Sequence, residues 1–449
     1  MRSLWSVLSF TLLLALGAVT LLMLAPQNVR ANYAWEVVAS QLDNPRQLTF
    51  GADGTLYVAE AGAGGPTCVT PDPTNPDVQI CIGQSGAISK VAPDGTQSRV
   101  VSDLWSAARL FGPGEPPEIV GPQGIVAMDD GTLYTTVGFG GNPADREPLF
   151  GADGLNFGQL VAVEQNVGWQ NVIDIAEFEG ANNPDGGGID SNPYALEKES
   201  GSALLATDAG GNDLLRLTLP TPTESGSLIE LLSVFPSREV PPPFPPPPPT
   251  VPMESVPTTI YYDGGPPLVG ELTGFPFIVG AARIYEAPTG VAPTVLLDGF
   301  TNITDMDKDA DGNLYVLEIA TNSLLSGDIT GAIHKVEPDG TRTIIANAPC
   351  NPAAPTGMEL CAPTGLVVGP DGALYVANYG VFGAAPPPAP SGQVVRIDLG
   401  TPTAVTLDGF NGRTAPSGGM FIAIALLAAA CIVAARRRGA TASATVQPQ

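Results

Sequence analysis

Asp307, Asp309, Asp311, Gly312 and Glu318 fill every specified position of the D-x-D-x-D-G-x5-E loop that wraps a calcium ion. The chemistry would be coordination of a hard cation through oxygen alone. Yet Leu314 to Leu317 reads as a β-strand, and at about 3.3 Å per residue it carries Glu318 about 20 Å from Gly312. The spacing leaves a reduced site on a hairpin turn, made of Asp307, Asp309 and Asp311. Acid–base chemistry has little to draw on. His334 is the only histidine, it falls mid-strand, and no cysteine stands at metal-ligand spacing from it. No glycine-rich phosphate loop joins a strand to a helix.

A second set of acids emerges when the turns are aligned. Short apolar runs alternate with Asp-Gly turns, the mark of many hairpins, in a chain of 449 residues holding 53 glycines and 46 prolines. Leu56-Tyr57-Val58-Ala59-Glu60 follows Asp53-Gly54, and the pattern returns at Leu133, at Leu204 after Ser200-Gly201, in degenerate form at Leu268 after Gly264-Gly265, and at Leu314 and Leu374. Each copy adds two further β-rich runs. Four strands per copy and six copies predict an all-β fold, a six-bladed β-propeller, since one such sheet cannot bury both faces alone. The run Trp35 to Leu42 is expected to close the ring by joining the last blade, with Ala404 to Leu407 as the competitor. The proline-rich stretch 240–252 is an insertion between blades three and four, extended as polyproline II.

The residue ending each second strand is Glu60, Val137, Asp208, Glu271, Glu318 or Asn378, in blade order. In a propeller these positions share one face with the loops that begin each first strand, carrying Asn44, Arg46, Gln123, Asn192 and Asn302. Those ten polar residues are the expected ligand-binding mouth of the channel. Glu60, Asp208, Glu271 and Glu318 are its expected metal ligands, with calcium as the cofactor, because oxygen ligands suit calcium and not zinc. The competing expectation is that these side chains bond backbone amides of neighbouring blades.

The ends of the chain give an address. Arg2, the apolar run Leu4 to Leu24 and Val29-Arg30-Ala31 form a secretory signal over 1–31. The propeller is assigned to 32–411 and a linker to 412–417. Residues 418–435 carry no charge and are followed by Arg436, Arg437 and Arg438, which predicts a transmembrane helix with a cytoplasmic tail over 436–449. The chain is thus expected to be exported and tethered to the outer face of the membrane. Cys68–Cys81 and Cys350–Cys361 are the expected disulfides in that oxidising compartment. With 19 basic and 45 acidic residues the formal net charge is −26, which repels phosphate backbones and makes nucleic acid no partner.

Asp43-Asn44-Pro45-Arg46, Asn182-Asn183-Pro184-Asp185-Gly186, Asp190-Ser191-Asn192-Pro193-Tyr194 and the run Asp208 to Arg216 resemble the ScyD/ScyE family, as does Gly270 to Phe277. The resemblance covers nearly all of Val37 to Asp398. It implies an exported propeller with NHL-like repeats and no agreed activity. The proline-rich insert and the C-terminal anchor depart from the family. The function expected is a tethered, monomeric binding module whose mouth takes a cation with a small molecule or a protein segment. The alternatives are a calcium-dependent hydrolase or lyase of lactonase or strictosidine-synthase type, and a structural protein of the cell envelope.

Overall fold

The computed structural model describes residues 28–112, 117–220, 228–244, 249–351, 357–381, 392–400 and 404–408. The assigned signal up to residue 27 and the apolar segment 418–435 lie outside them. Among the described residues no helix is long and apolar enough to cross a membrane.

Residues 30–405 form one compact unit. It holds six antiparallel blades built on four-stranded meanders, which run outward in chain order in the first five. The first blade consists of Pro45–Phe50, Leu56–Glu60, Gln79–Val91 and Gln97–Leu110, and the second of Pro122–Ala127, Leu133–Val137, Gln159–Glu164 and Gly168–Asp174. The third is Pro193–Lys198, Ala203–Asp208, Asp213–Thr218 and Ile229–Val234, and the fourth Pro257–Tyr261, Leu268–Glu271, Ala282–Glu286 and Thr294–Phe300. Ile303–Lys308, Leu314–Glu318, Ala332–Val336 and Arg342–Ala346 make the fifth. The sixth is composite: Gly365–Val368, Leu374–Asn378 and Gly392–Asp398 are completed by Ala34–Leu42 from the start of the chain. Ala404–Asp408, the rival for that outer place, pairs instead with Asn28–Asn32.

Six apolar clusters hold the blades together, one in each gap. The gap between blades six and one buries Leu42, Leu48, Leu56, Val58 and Val394, for example. Burying one such aliphatic side chain stabilises by about 1.5–3 kcal/mol, so the ring rests mainly on these gaps. Second strands such as Leu56–Glu60 and Leu314–Glu318 are buried at every residue, since both of their faces meet a neighbouring blade. This is why they read as unbroken apolar runs and not as alternation.

First strands follow one another around the circle, their inner edges toward the channel, where ladder partners end. Side chains supply the missing bonds. Gln47 Oε1 accepts from the N–H groups of Ile125 and Leu196, and Asp305 and Asp307 accept from those of Leu366 and Val368. Thr258, Thr304 and Thr364 donate to the carbonyls of Ile303, Pro363 and Pro45, each on or beside the first strand of the next blade. Gly124 and Gly365 allow the closest approach. A Cβ there would meet the Tyr194 carbonyl at 2.5 Å or the Arg46 carbonyl at 2.2 Å.

Two additions stand on this ring. In blade one the third and fourth strands run 13 and 14 residues, and Thr67–Val69 and Glu118–Val120 extend their sheet. The Cys68–Cys81 disulfide joins directly opposed residues of that extension, and Cys350–Cys361 is formed as well. Where the sequence expects an extended proline loop, Arg238–Val240 and Val251–Met253 pair as a small ribbon at the base of the insertion.

Candidate functional site

The second-strand carboxylates do not gather around one point. Each is buried and bonded to the entry loop of its own blade, where the sequence reading offered neighbouring blades or a shared ion. Glu60 accepts from the Asp43 N–H at 2.7 Å and the Ser89 hydroxyl at 2.5 Å, and pairs with Arg99. Asp208 accepts from the Ser191 hydroxyl and the N–H groups of Asn192, Gly210 and Gly211. Glu271 accepts from the Ser255 hydroxyl and pairs with Arg238 of the insertion ribbon at 2.6 Å. Glu318 accepts from the Thr301 N–H, with His334 Nε2 3.2 Å away. Asn378 does the same neutrally, taking the Cys361 N–H and donating to the Glu359 carbonyl.

The repeated acid is therefore a lock on the turn that feeds its own first strand. Among the described residues no three Asp, Glu, His or Cys side chains converge to hold a metal. The expected four-carboxylate calcium set is corrected to four separate locks. Asp307, Asp309 and Asp311 part company too. Asp309 caps its own turn through the Asp311 and Asn313 N–H groups, while Asp307 reaches across to blade six. His334 likewise serves its blade, in the place that Ser89 fills beside Glu60.

The mouth itself is a cavity of about 320 Å³ to which all six blades contribute. Of the ten expected residues it takes Arg46, Gln123 and Asn192; Asn44 and Asn302 instead tie loops through Gly62 and Leu272. The remaining lining includes Glu118, Tyr194, Thr258 and Thr304, with an apolar arc of Val256, Leu272, Ile319, Leu324 and Val381. Ala209, Leu272 and Ile319 each follow a locking acid. Successive residues of extended chain point to opposite sides, so an acid turned into its blade puts the next residue in the channel. That one-residue offset is the signal the sequence offered for them.

Arg46 dominates the polar side of the mouth. It is 4% exposed, and all its direct partners are neutral: Gln123 Oε1 and the carbonyls of Ile119, Asn44, Pro45 and Gly380. Burial pulls its pKa down, opposed by Tyr194 and Glu118 at longer range. The opposite mouth, about 400 Å³, is acidic. There burial raises Glu197 to about 8, Asp305 to about 7 and Asp307 to about 6. A third cavity of about 340 Å³ lies off the axis, lined by Phe139, Phe150, Phe157, Ile80 and Ile82. Glu118 and Val120 line both it and the Arg46 mouth.

No protein-family model and no curated protein matches the chain. Solved propellers resemble it at low identity. The calcium structure of a Trichoderma reesei enzyme of carbohydrate-active family AA12 has a TM-score of 0.45 at 11% identity, over 83% of this chain and 97% of that one. A gluconolactonase from Xanthomonas campestris gives 0.43 at 9%, over 83% and 98%. Virginiamycin B lyase from Staphylococcus aureus gives 0.38 at 13%, over 82% and 100%. No property of those proteins passes to this chain through likeness of that degree.

Proposed function

We propose that this protein is an exported propeller of the ScyD/ScyE type, tethered through 418–435, that binds a small organic ligand at the Arg46 mouth. The ligand class is one bearing a carboxylate or another strongly polarised oxygen beside an apolar body. The observation that carries this is a buried guanidinium whose direct partners are all neutral, in a cavity that faces it with an arc of aliphatic side chains, Val256, Leu272, Ile319, Leu324 and Val381. A buried charge with no directly bonded counter-charge favours an anion in a low-dielectric setting. Two disulfides fit an exported chain. The hydrolase or lyase alternative asks for a paired acid and base at the mouth, where the lining among the described residues offers Glu118 as its one carboxylate and no histidine.

Calorimetric titration with a panel of small carboxylates, matched with their amides, tests the reading. At least one carboxylate should bind the wild type and be lost in Leu324→Trp, which fills the mouth from its apolar side. Binding that survives in Leu324→Trp, or equal affinity for the amide, would remove the mouth from the account.

A further inference from the structure

The motifs 182–186, 190–194 and 208–213, separate in sequence, meet beside the helix Ile175–Asn182. Glu179 on that helix is 1% exposed and neither of its carboxylate oxygens has a hydrogen-bond partner. Asp213, opening the third strand of blade three, is equally buried, and its Oδ1 is also without a partner. So is Oδ1 of Asn183, one helical turn beyond Glu179. Among the described residues neither carboxylate has an ion-pair partner.

Two buried carboxylates with orphan oxygens are costly, and the molecule shows that strain of charge. Desolvation raises Glu179 to about 7, with Asp208, Asp185 and Asp190 adding repulsion; the Asp190 N–H opposes the rise without meeting hydrogen-bond geometry. Asp213 is raised well above the usual carboxylate range by burial first, then by Asp208 and Glu179. Arg109 offsets only Asp190. Native proteins pair such groups, so each orphan oxygen asks for a partner the chain does not supply.

A glycine keeps open the space beside Glu179, on the side of Asp208. A Cβ on Gly211 would stand 2.9 Å from Glu179 Oε2 and 3.4 Å from Asp208 Cγ. Asp208 is saturated by four donors and shapes the loop, so it is not available as a ligand. We propose that Glu179 and Asp213, with the Asn183 amide oxygen and water, hold a divalent cation of the calcium type, pinning the helix 175–182 to blade three. Oxygen-only donors with two carboxylates and neutral oxygens suit calcium. None of Glu179, Asp213 and Asn183 lines the Arg46 mouth.

Full-length protein purified in detergent and stripped with chelator should bind one calcium ion per chain by calorimetry. Its melting temperature should rise by about 3 °C or more at hundredfold excess over Kd. Glu179→Gln and Asp213→Asn should each abolish the rise, while melting in chelator at or above the wild type, because a neutral amide relieves the repulsion. Gly211→Ala, which fills the space beside Glu179 without charge change, should also lose it, and Glu271→Gln should keep it. An unmoved wild type, or a full rise in Glu179→Gln, would overturn the site.

Discussion

Replacing Asn378 by alanine isolates what the second-strand lock is worth, because this copy is neutral and no charge is removed. Its amide is fully buried, accepts the Cys361 N–H at 2.7 Å and donates to the Glu359 carbonyl at 3.0 Å. In Asn378→Ala the Cys361 N–H would keep no acceptor, a desolvation loss of about 1–3 kcal/mol. The Glu359 carbonyl would lose its amide donor, worth about 1 kcal/mol more. A total of about 2–4 kcal/mol is expected, read as the shift of a urea unfolding curve followed by tryptophan fluorescence at pH 7. The side chain does not line the mouth, so ligand affinity at Arg46 should stay the same. A loss below about 1 kcal/mol, or an equal loss of ligand affinity, would show that the repeated position is not a loop lock.

Two further outcomes follow from the same structure. Glu197, Asp305, Asp307, Asp208 and Glu179 all have folded pKa values raised by burial, so their stabilisation is full below the ordinary carboxylate range and is lost as pH climbs through about 6 to 8. In chelator the melting temperature should therefore be higher at pH 5.5 than at pH 8, and a scanning-fluorimetry series with the opposite slope would refute the raised values. Mass spectrometry should find Cys68 joined to Cys81 and Cys350 to Cys361; replacing either pair by serines should cost about 2–3 kcal/mol, given closures of 13 and 11 residues, and loss of only a few tenths would refute it.

The repeat was legible because each blade must satisfy the same local demands. A glycine-bearing turn, a second strand packed on both faces and a polar residue at its end recur at Glu60, Asp208, Glu271, Glu318 and Asn378, so the blades and their order could be counted from the chain. Both disulfides were legible as closures within single loops, and the pairing of Trp35 to Leu42 with the last blade was legible because a ring of such blades has to be closed by a strand from the other end. The destination of the locking acids was not. Strand alternation says that a side chain leaves the sheet on a given side, but whether it then meets an ion at the axis or the N–H of Asp43 depends on how the entry loop curls back. The same holds for Glu179 and Asp213, which are 34 positions apart in the chain. Only the tertiary packing of the helix 175–182 brings Glu179 close enough to raise Asp213, because burial and electrostatic coupling depend on distance in space, which separation along the chain does not fix.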